Sequence, residues 1–306
     1  MKKFLILPLL LLSLNATAKE ANTEATSKTS ATTSSTQAPK LLWEQKGFKN
    51  PESMLYDKTR DVIYVSNVDG KPNDKDKSGS ISLLSSDGKT VKQDWVTGLN
   101  APKGLALVGD TLYVADIDTL VAIDVKTQKI KQRYPIKKAK FLNDVVADKN
   151  GDVYVSDFLD NTLYRLHNGK FEKWLADKSL ETPNGLFIEN GKLLVGSWGV
   201  MTDGFKTKKT GHMKSIDMKT KKVSNLGSGK PIGNLDGIES DGKGGYFATD
   251  WMAGSVLHID SKGKFRTLLD VNQGSADLGI IKKKDSTILL IPMMNDNVVR
   301  AYQVAD

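Results

Sequence analysis

The chain of 306 residues contains no cysteine, so it can form neither a disulfide nor a cysteine-linked lipid anchor. It also has no stretch with a helical period of useful length, which argues against a helical fold. The apolar run from Phe4 to Leu14 is shorter than the roughly 20 residues that a membrane-spanning helix needs. Disulfide scaffolds, helical bundles and transmembrane helices in a mature chain are therefore excluded.

The charge pattern excludes a nucleic-acid partner. The formal net charge is +8, but the lysines lie scattered over turn sequences and are not interleaved with aromatic residues. We predict a solvated basic surface. Attraction of this surface to anionic components of the cell envelope stays open.

The N-terminal segment reads as an export signal followed by a spacer. Lys2 and Lys3 precede the apolar run, and Ala16-Thr17-Ala18 is a typical small-residue cleavage pattern. We predict a signal peptide over residues 1–18 that is cleaved near Ala18, and a periplasmic or secreted mature protein. Residues 19–39 are rich in Ser and Thr and predict a disordered leader, which leaves 40–306 as a single domain.

One short pattern, in which a polar residue opens an apolar strand, occurs six times. The occurrences are Pro51-Glu52-Ser53-Met54, Pro102-Lys103-Gly104-Leu105, Leu142-Asn143-Asp144-Val145, Pro183-Asn184-Gly185-Leu186, Leu235-Asp236-Gly237-Ile238 and Ala276-Asp277-Leu278-Gly279. Their polar residues are about 51, 40, 41, 52 and 41 positions apart, which is the period of a four-stranded propeller blade. The sequence therefore predicts an all-β fold, a six-bladed β-propeller.

The chain stops after the third strand of the predicted sixth blade. Leu41 to Phe48 is an apolar strand sequence that precedes the first repeat and belongs to no blade. We predict that it completes the last blade and closes the ring, because closure removes an open sheet edge.

The opening residues of the repeats predict a binding site. The first strand of each blade lines the central channel, so the polar residues that open the six repeats should converge at one mouth. We call these residues the anchors: Glu52, Lys103, Asn143, Asn184, Asp236 and Asp277. Three carboxylates and one ammonium crowded there favour a bound divalent cation. Carboxylate and amide oxygens, with no sulfur or imidazole among them, favour Ca²⁺ over zinc, although another divalent cation stays open.

The same mouth should carry longer loops and apolar side chains. Two blades are extended on this face, by residues 69–79 and 199–211. Long loops in this position often act as lids or specificity loops, and the alternative is that they are solvated charged loops. An apolar substrate wall is predicted from five side chains, unless they serve blade packing: Phe158, Trp198, Trp251, Met252 and Met293. The predicted substrate pocket comprises Lys103, Phe141, Phe158, Trp198, Trp251, Asp277 and Met293.

In identity, order and blade, Glu52, Asn143, Asn184 and Asp236 resemble the calcium ligands of the SMP-30/gluconolactonase/LRE-like family. The resemblance covers about residues 41–306 and implies a calcium-dependent hydrolase of a lactone or related ester. It also implies that Asp236 is both ligand and proton acceptor. Two features depart from relatives: Phe141 stands where many sugar lactonases have an arginine, and the histidine pair of paraoxonases is absent.

Two alternatives to hydrolysis stay open at this point. A propeller without catalytic activity would use the same face to bind a small molecule or an envelope protein, since one fold hosts many functions. Lyase or isomerase chemistry would use the same ion. Turnover of a small-molecule substrate separates the first alternative from the hydrolase.

Overall fold

The computed structural model describes residues 38–305. The predicted signal peptide, and the leader up to residue 37, lie outside the described residues. Twenty-six strands and one short 3₁₀ turn, Lys178–Leu180, make up the regular structure of this region. None of its helices is long and apolar enough to cross a membrane.

The strands form six four-stranded antiparallel sheets and one separate hairpin, which confirms the predicted six-bladed propeller. The N-terminal strand is β1 (Lys40–Lys46). Blade 1 contains β2 (Pro51–Asp57), β3 (Val62–Asn67), β4 (Gly79–Ser85) and β5 (Thr90–Leu99). Blade 2 contains β6 (Pro102–Val108), β7 (Thr111–Asp116), β8 (Thr119–Asp124) and β9 (Lys129–Pro135). Blade 3 contains β10 (Leu142–Ala147), β11 (Val153–Asp157), β12 (Thr162–His167) and β13 (Lys170–Ala176).

The second half repeats this order with one insertion. Blade 4 contains β14 (Pro183–Glu189), β15 (Lys192–Ser197), β18 (Met213–Asp217) and β19 (Val223–Asn225), and the inserted hairpin is formed by β16 (Gly199–Met201) and β17 (Thr207–Thr210). Blade 5 contains β20 (Leu235–Ser240), β21 (Tyr246–Asp250), β22 (Ser255–Ile259) and β23 (Phe265–Asp270). Blade 6 contains β24 (Gly279–Lys282), β25 (Ser286–Met293) and β26 (Val298–Ala305).

Blade 6 takes its outermost strand from the start of the domain. Its sheet order is β1-β26-β25-β24, and β1 runs antiparallel to β26. The Arg300 guanidinium donates from Nε to Glu44 Oε2 at 2.8 Å, which adds a side-chain contact between the two strands. Both ends of the domain therefore lie in one sheet.

The hydrophobic core lies between neighbouring blades. Each of six buried clusters joins one blade to the next; Ile81 of β4 and Leu112 of β7, for example, pack together between blades 1 and 2. Another cluster joins Met54 of β2 to Leu290 of β25 and so connects the first blade with the last. Burial of this apolar surface holds the ring together.

Glycines allow the innermost strands to approach closely around the channel. A Cβ on Gly185 would lie 1.8 Å from the backbone oxygen of Asp236, and one on Gly237 would lie 2.3 Å from the backbone nitrogen of Leu278. No side chain fits at these distances, so the residue after the anchors Asn184 and Asp236 must be glycine. The Asn-Gly and Asp-Gly pairs thus serve strand packing as well as the mouth of the channel.

Candidate metal and substrate site

A cavity of about 290 Å³ lies at one mouth of the channel. The four predicted ligands all line it and come from four different blades: Glu52, Asn143, Asn184 and Asp236. Each is the second residue of the innermost strand of its blade, so the repeat places all four at the same height. The convergence predicted from the sequence is therefore present in the structure.

Three buried acceptor atoms of this set have no hydrogen-bond partner. They are Glu52 Oε2, Asn184 Oδ1 and Asp236 Oδ1. An unpaired buried acceptor costs about 1–3 kcal/mol, and native structures seldom leave several together. Three such oxygens at one mouth are suited to coordinate a hard divalent cation.

Electrostatics at the mouth point in the same direction. Burial, followed by repulsion from Asp236 and Asp277, holds the pKa of Glu52 well above its usual value. Burial, followed by repulsion from Asp277, raises the pKa of Asp236 in the same way, while the Asn184 amide lowers it. A cation would stabilise both ionised carboxylates, so the residues present fit the ion that the family resemblance implies.

The candidate set depends on its amides as much as on its acids. Within residues 38–305 no three histidine, cysteine or acidic side chains are grouped so as to hold a metal. The site has two carboxylates, from Glu52 and Asp236, and two carboxamides, from Asn143 and Asn184. This all-oxygen composition favours Ca²⁺ over zinc or copper.

Lys103 lines the cavity and connects two of its walls. Its ammonium donates to the carbonyl oxygens of Pro72 at 3.0 Å and Ala101 at 2.9 Å. It also lies 4.4 Å from the ring centroid of Phe141, a cation–π distance. Burial lowers the pKa of Lys103 to about 8. Lys103 therefore holds the long loop of blade 1 against the cavity.

Aromatic side chains form the opposite side of the cavity. Phe141 and Phe158 have ring centroids 5.6 Å apart, Phe158 and Trp198 5.4 Å, and Trp198 and Trp251 6.0 Å. The inserted hairpin adds Phe205, whose backbone oxygen accepts a 2.9 Å hydrogen bond from Trp198 Nε1. Phe158, Trp198 and Trp251 therefore line one cavity together, and the two long loops reach it through Gly70, Pro72 and Phe205.

Two predicted pocket residues lie elsewhere. Met293 is fully buried in the core between blades 5 and 6, and its neighbour Met294 lines the cavity instead. Asp277 does not line the cavity. It accepts a 2.6 Å hydrogen bond from Ser53 Oγ and faces a second cavity of about 200 Å³ further along the channel.

The aspartates that end three second strands have structural roles. Asp116 accepts hydrogen bonds from the backbone N–H groups of Asn100 and Ala101, and Asp157 accepts them from those of Lys140 and Phe141. Asp250 accepts one from the backbone N–H of Ala253. The bonds to Asp116 and Asp157 fix the segments that lead into β6 and β10, and the bond to Asp250 fixes the turn after β21.

No histidine lines the cavity in the described part of the chain. His167 and His258 contact Asp152 and Asp241, and His212 contacts Asn225 through Nε2 at 2.9 Å. Ser197 donates to the Leu180 backbone oxygen at 2.6 Å and is not available as a nucleophile.

Several site residues were missed from the sequence. Asp144 and Glu239 are acids of the channel behind the mouth; burial raises the pKa of Glu239 to about 8. Both lie in the innermost strands of their blades: Asp144 comes one position after Asn143, and Glu239 comes three positions after Asp236. This closeness to the anchors could have identified them from the sequence. Asn50, Asn295 and Phe205 also line the mouth but lie outside the repeated pattern.

A sequence profile of the SMP-30/gluconolactonase/LRE-like region matches residues 50–273, and the chain belongs to this family. Solved structures share its fold. A gluconolactonase from Xanthomonas campestris is 12% identical with a TM-score of 0.62, over 89% of this chain and 96% of that one. Virginiamycin B lyase from Staphylococcus aureus is 11% identical with a TM-score of 0.58, over 86% and 99%.

A chain of the nidogen/laminin complex is 19% identical with a TM-score of 0.55, over 71% of this chain and 79% of that one. No curated protein matches the sequence at a significant level. At these identities the structural likeness establishes the propeller fold alone.

Proposed function

We propose that the protein hydrolyses a lactone or a related ester with the help of a divalent cation, Ca²⁺ by preference. The observation that carries the proposal is the convergence of three unpaired buried oxygens, from Glu52, Asn184 and Asp236, beside an apolar wall. Membership of a family that is named after a gluconolactonase supports the reaction class.

Glu52, Asn143, Asn184 and Asp236 would hold the cation. When bound, it polarises the substrate carbonyl and stabilises the negative charge that develops on the carbonyl oxygen.

Asp236 is the proposed general base. Its carboxylate takes one proton from water as the water oxygen bonds to the acyl carbon, and the bond from that carbon to the ring or alkoxy oxygen then breaks. Asp236 returns the proton to the departing oxygen, so water and a lactone give a hydroxy acid with atoms balanced. Assistance of this kind is typically worth about 100-fold to 10,000-fold in rate.

Lyase chemistry has less support. One of the similar lyase structures is described as catalytically inactive after a histidine was replaced by alanine. In this chain no histidine among residues 38–305 lines the cavity, so a histidine that could serve such a reaction is lacking there.

The test is a screen of metal-depleted protein against lactones and aryl esters, with and without Ca²⁺. We expect turnover that a chelator abolishes and that Asp236→Asn reduces at least 100-fold at saturating Ca²⁺. Glu172→Gln, which removes one surface carboxylate, is the matched control and should keep full activity. Absence of wild-type turnover across the panel would favour a binding module instead.

We also propose that the reaction takes place outside the cytoplasm, because residues 1–18 have the pattern of a secretory signal. Sequencing the N-terminus of the mature protein checks this. A mature chain that retains Met1 would contradict export by this route.

A further inference from the structure

The two sides of the cavity differ in chemistry. Oxygen-bearing side chains occupy one side, and the other side is formed by Phe141, Phe158, Trp198, Phe205 and Trp251, which we call the aromatic wall. Phenylalanine offers no hydrogen bond, and the Trp198 indole N–H is already used by the Phe205 carbonyl. Within the described residues, only the Trp251 indole N–H remains as a side-chain donor of the wall.

The positively charged side chain of the cavity, Lys103, also has its partners within the protein. The Lys103 ammonium donates to two backbone carbonyls and lies against the Phe141 ring, so it points its charge into protein contacts. A polyhydroxylated ring placed against this wall would bury several hydroxyl groups against few partners, which disfavours binding. An alkyl or aryl group has no hydrogen bonds to lose there, and its burial would release water from apolar surface.

The aromatic wall is held rigidly from behind. The Asn234 side-chain amide donates to the Trp198 backbone carbonyl at 2.8 Å, and the Asn234 backbone carbonyl accepts the Trp251 backbone N–H at 3.1 Å. One buried asparagine therefore positions both indole residues. A wall fixed in this way offers a preformed surface, which reduces the entropy cost of binding.

The wall also continues out of the cavity. Phe158 is buried, while Phe205 on the inserted hairpin is 43% exposed and lies 6.1 Å from Phe158 between ring centroids. The two rings are direct neighbours, so the apolar surface continues from Phe158 to Phe205. A substituent longer than the cavity can therefore extend over Phe205 towards solvent.

We infer that the substrate is a lactone or ester with an apolar alkyl or aryl substituent, which lies along the aromatic wall from Phe158 to Phe205. The inference rests on the proposed hydrolase function and assigns its substrate class. It predicts that a sugar lactone is a poor substrate and that efficiency rises with the length of the apolar substituent.

The test compares γ-butyrolactones with no substituent, with alkyl substituents of one to six carbons and with a phenyl group, beside gluconolactone. We expect kcat/KM to rise by up to about fourfold for each buried methylene, and gluconolactone to be at least tenfold poorer than the hexyl compound. Phe205→Ala should flatten this rise at the longer substituents. Phe265→Ala is the matched control, because Phe265 is equally exposed, at 42%, but lies on the outer strand of blade 5.

The outcomes separate the two proposals. Turnover that is flat with substituent length, or faster with gluconolactone, would overturn the aromatic-wall inference and leave the hydrolase standing. If no lactone is turned over, the hydrolase proposal fails. Binding to the aromatic wall is then measured by quenching of tryptophan fluorescence with cyclic ketones that carry the same substituents. Affinity that rises with substituent length and falls in Phe205→Ala supports the wall, and affinity independent of length overturns it.

Discussion

Removing divalent cations should destabilise the protein by a measurable amount. In their absence, Glu52 Oε2, Asn184 Oδ1 and Asp236 Oδ1 are buried without partners, and each unpaired acceptor costs about 1–3 kcal/mol. A cation present at about 100 times its dissociation constant stabilises the folded state by about 2.7 kcal/mol. For a domain of this size, we expect Ca²⁺ to raise the unfolding midpoint by roughly 5 °C.

The effect should depend on pH in a defined direction. Burial raises the pKa of Asp277 from 3.8 to about 7, and the pKa values of Glu52 and Asp236 also lie above their usual range. The cation-free folded state therefore binds more protons than the unfolded state, so its stability falls as the pH rises from about 4 through 7. The gain from Ca²⁺ should accordingly grow between pH 5 and pH 8.

The assay is thermal unfolding of chelator-treated protein, titrated with Ca²⁺ and with Mg²⁺ at several pH values, together with metal analysis. The double variant Glu52→Gln, Asp236→Asn should lose the Ca²⁺ response, while the surface control Glu172→Gln should keep it. A midpoint that Ca²⁺ leaves unchanged, in protein that metal analysis finds empty, would refute the reasoning.

Three further predictions test individual parts of the molecule. In a Ca²⁺ titration of turnover, Glu52→Gln should regain most activity at high Ca²⁺, whereas Asp236→Asn should stay at least 100-fold slow because it lacks a base; full recovery of Asp236→Asn would make it a ligand only. Deleting residues 41–48 should lower the unfolding midpoint far more than deleting 19–39, and equal midpoints would contradict the role given to β1. Gly185→Ala should weaken Ca²⁺ binding, measured by calorimetry, because its Cβ would displace the Asp236 backbone oxygen 1.8 Å away; unchanged affinity would show that the strand can shift freely.

Most of the fold and the position of the site could be predicted from the sequence, because both follow from one repeat. An inner strand that opens with a polar residue recurs at blade spacing, and this spacing alone brings residues such as Glu52 and Asp236 to one mouth. The aromatic residues at the ends of second strands could be placed on the same face by the antiparallel geometry.

The errors arise where the repeat is broken. The sequence predicts Met293 in the pocket, but β25 continues through Met293 and pairs it with Val298. Successive residues of a strand face opposite sides, so an error of one position buries the side chain in the core and leaves Met294 at the cavity. Phe205 could not be assigned because its hairpin has no counterpart in the other blades.

The hydrogen-bond partners of the buried charge of Lys103 could not be predicted from the sequence either. Lys103 occupies an anchor position and lowers the pKa of Glu52 by electrostatic attraction, but the hydrogen bonds of its ammonium go to the backbone oxygens of Pro72 and Ala101. Those oxygens belong to connecting segments whose paths depend on the whole ring. The hydrogen-bond partners of Lys103 therefore depend on the folded structure and could not be read from the repeat.

The position of the proposed ligands links cation binding to closure of the ring. The four residues come from blades 1, 3, 4 and 5, while blade 6 is joined to blade 1 by a core cluster that includes Met54 and Leu290. A cation held by all four therefore requires the arrangement that this cluster and β1 maintain. Because such coupling is reciprocal, whatever Ca²⁺ adds to the stability of the ring, the closed ring adds to the affinity for Ca²⁺. Weakening the contact between the first and last blades, far from the mouth, should thus raise the Ca²⁺ concentration needed to saturate the site.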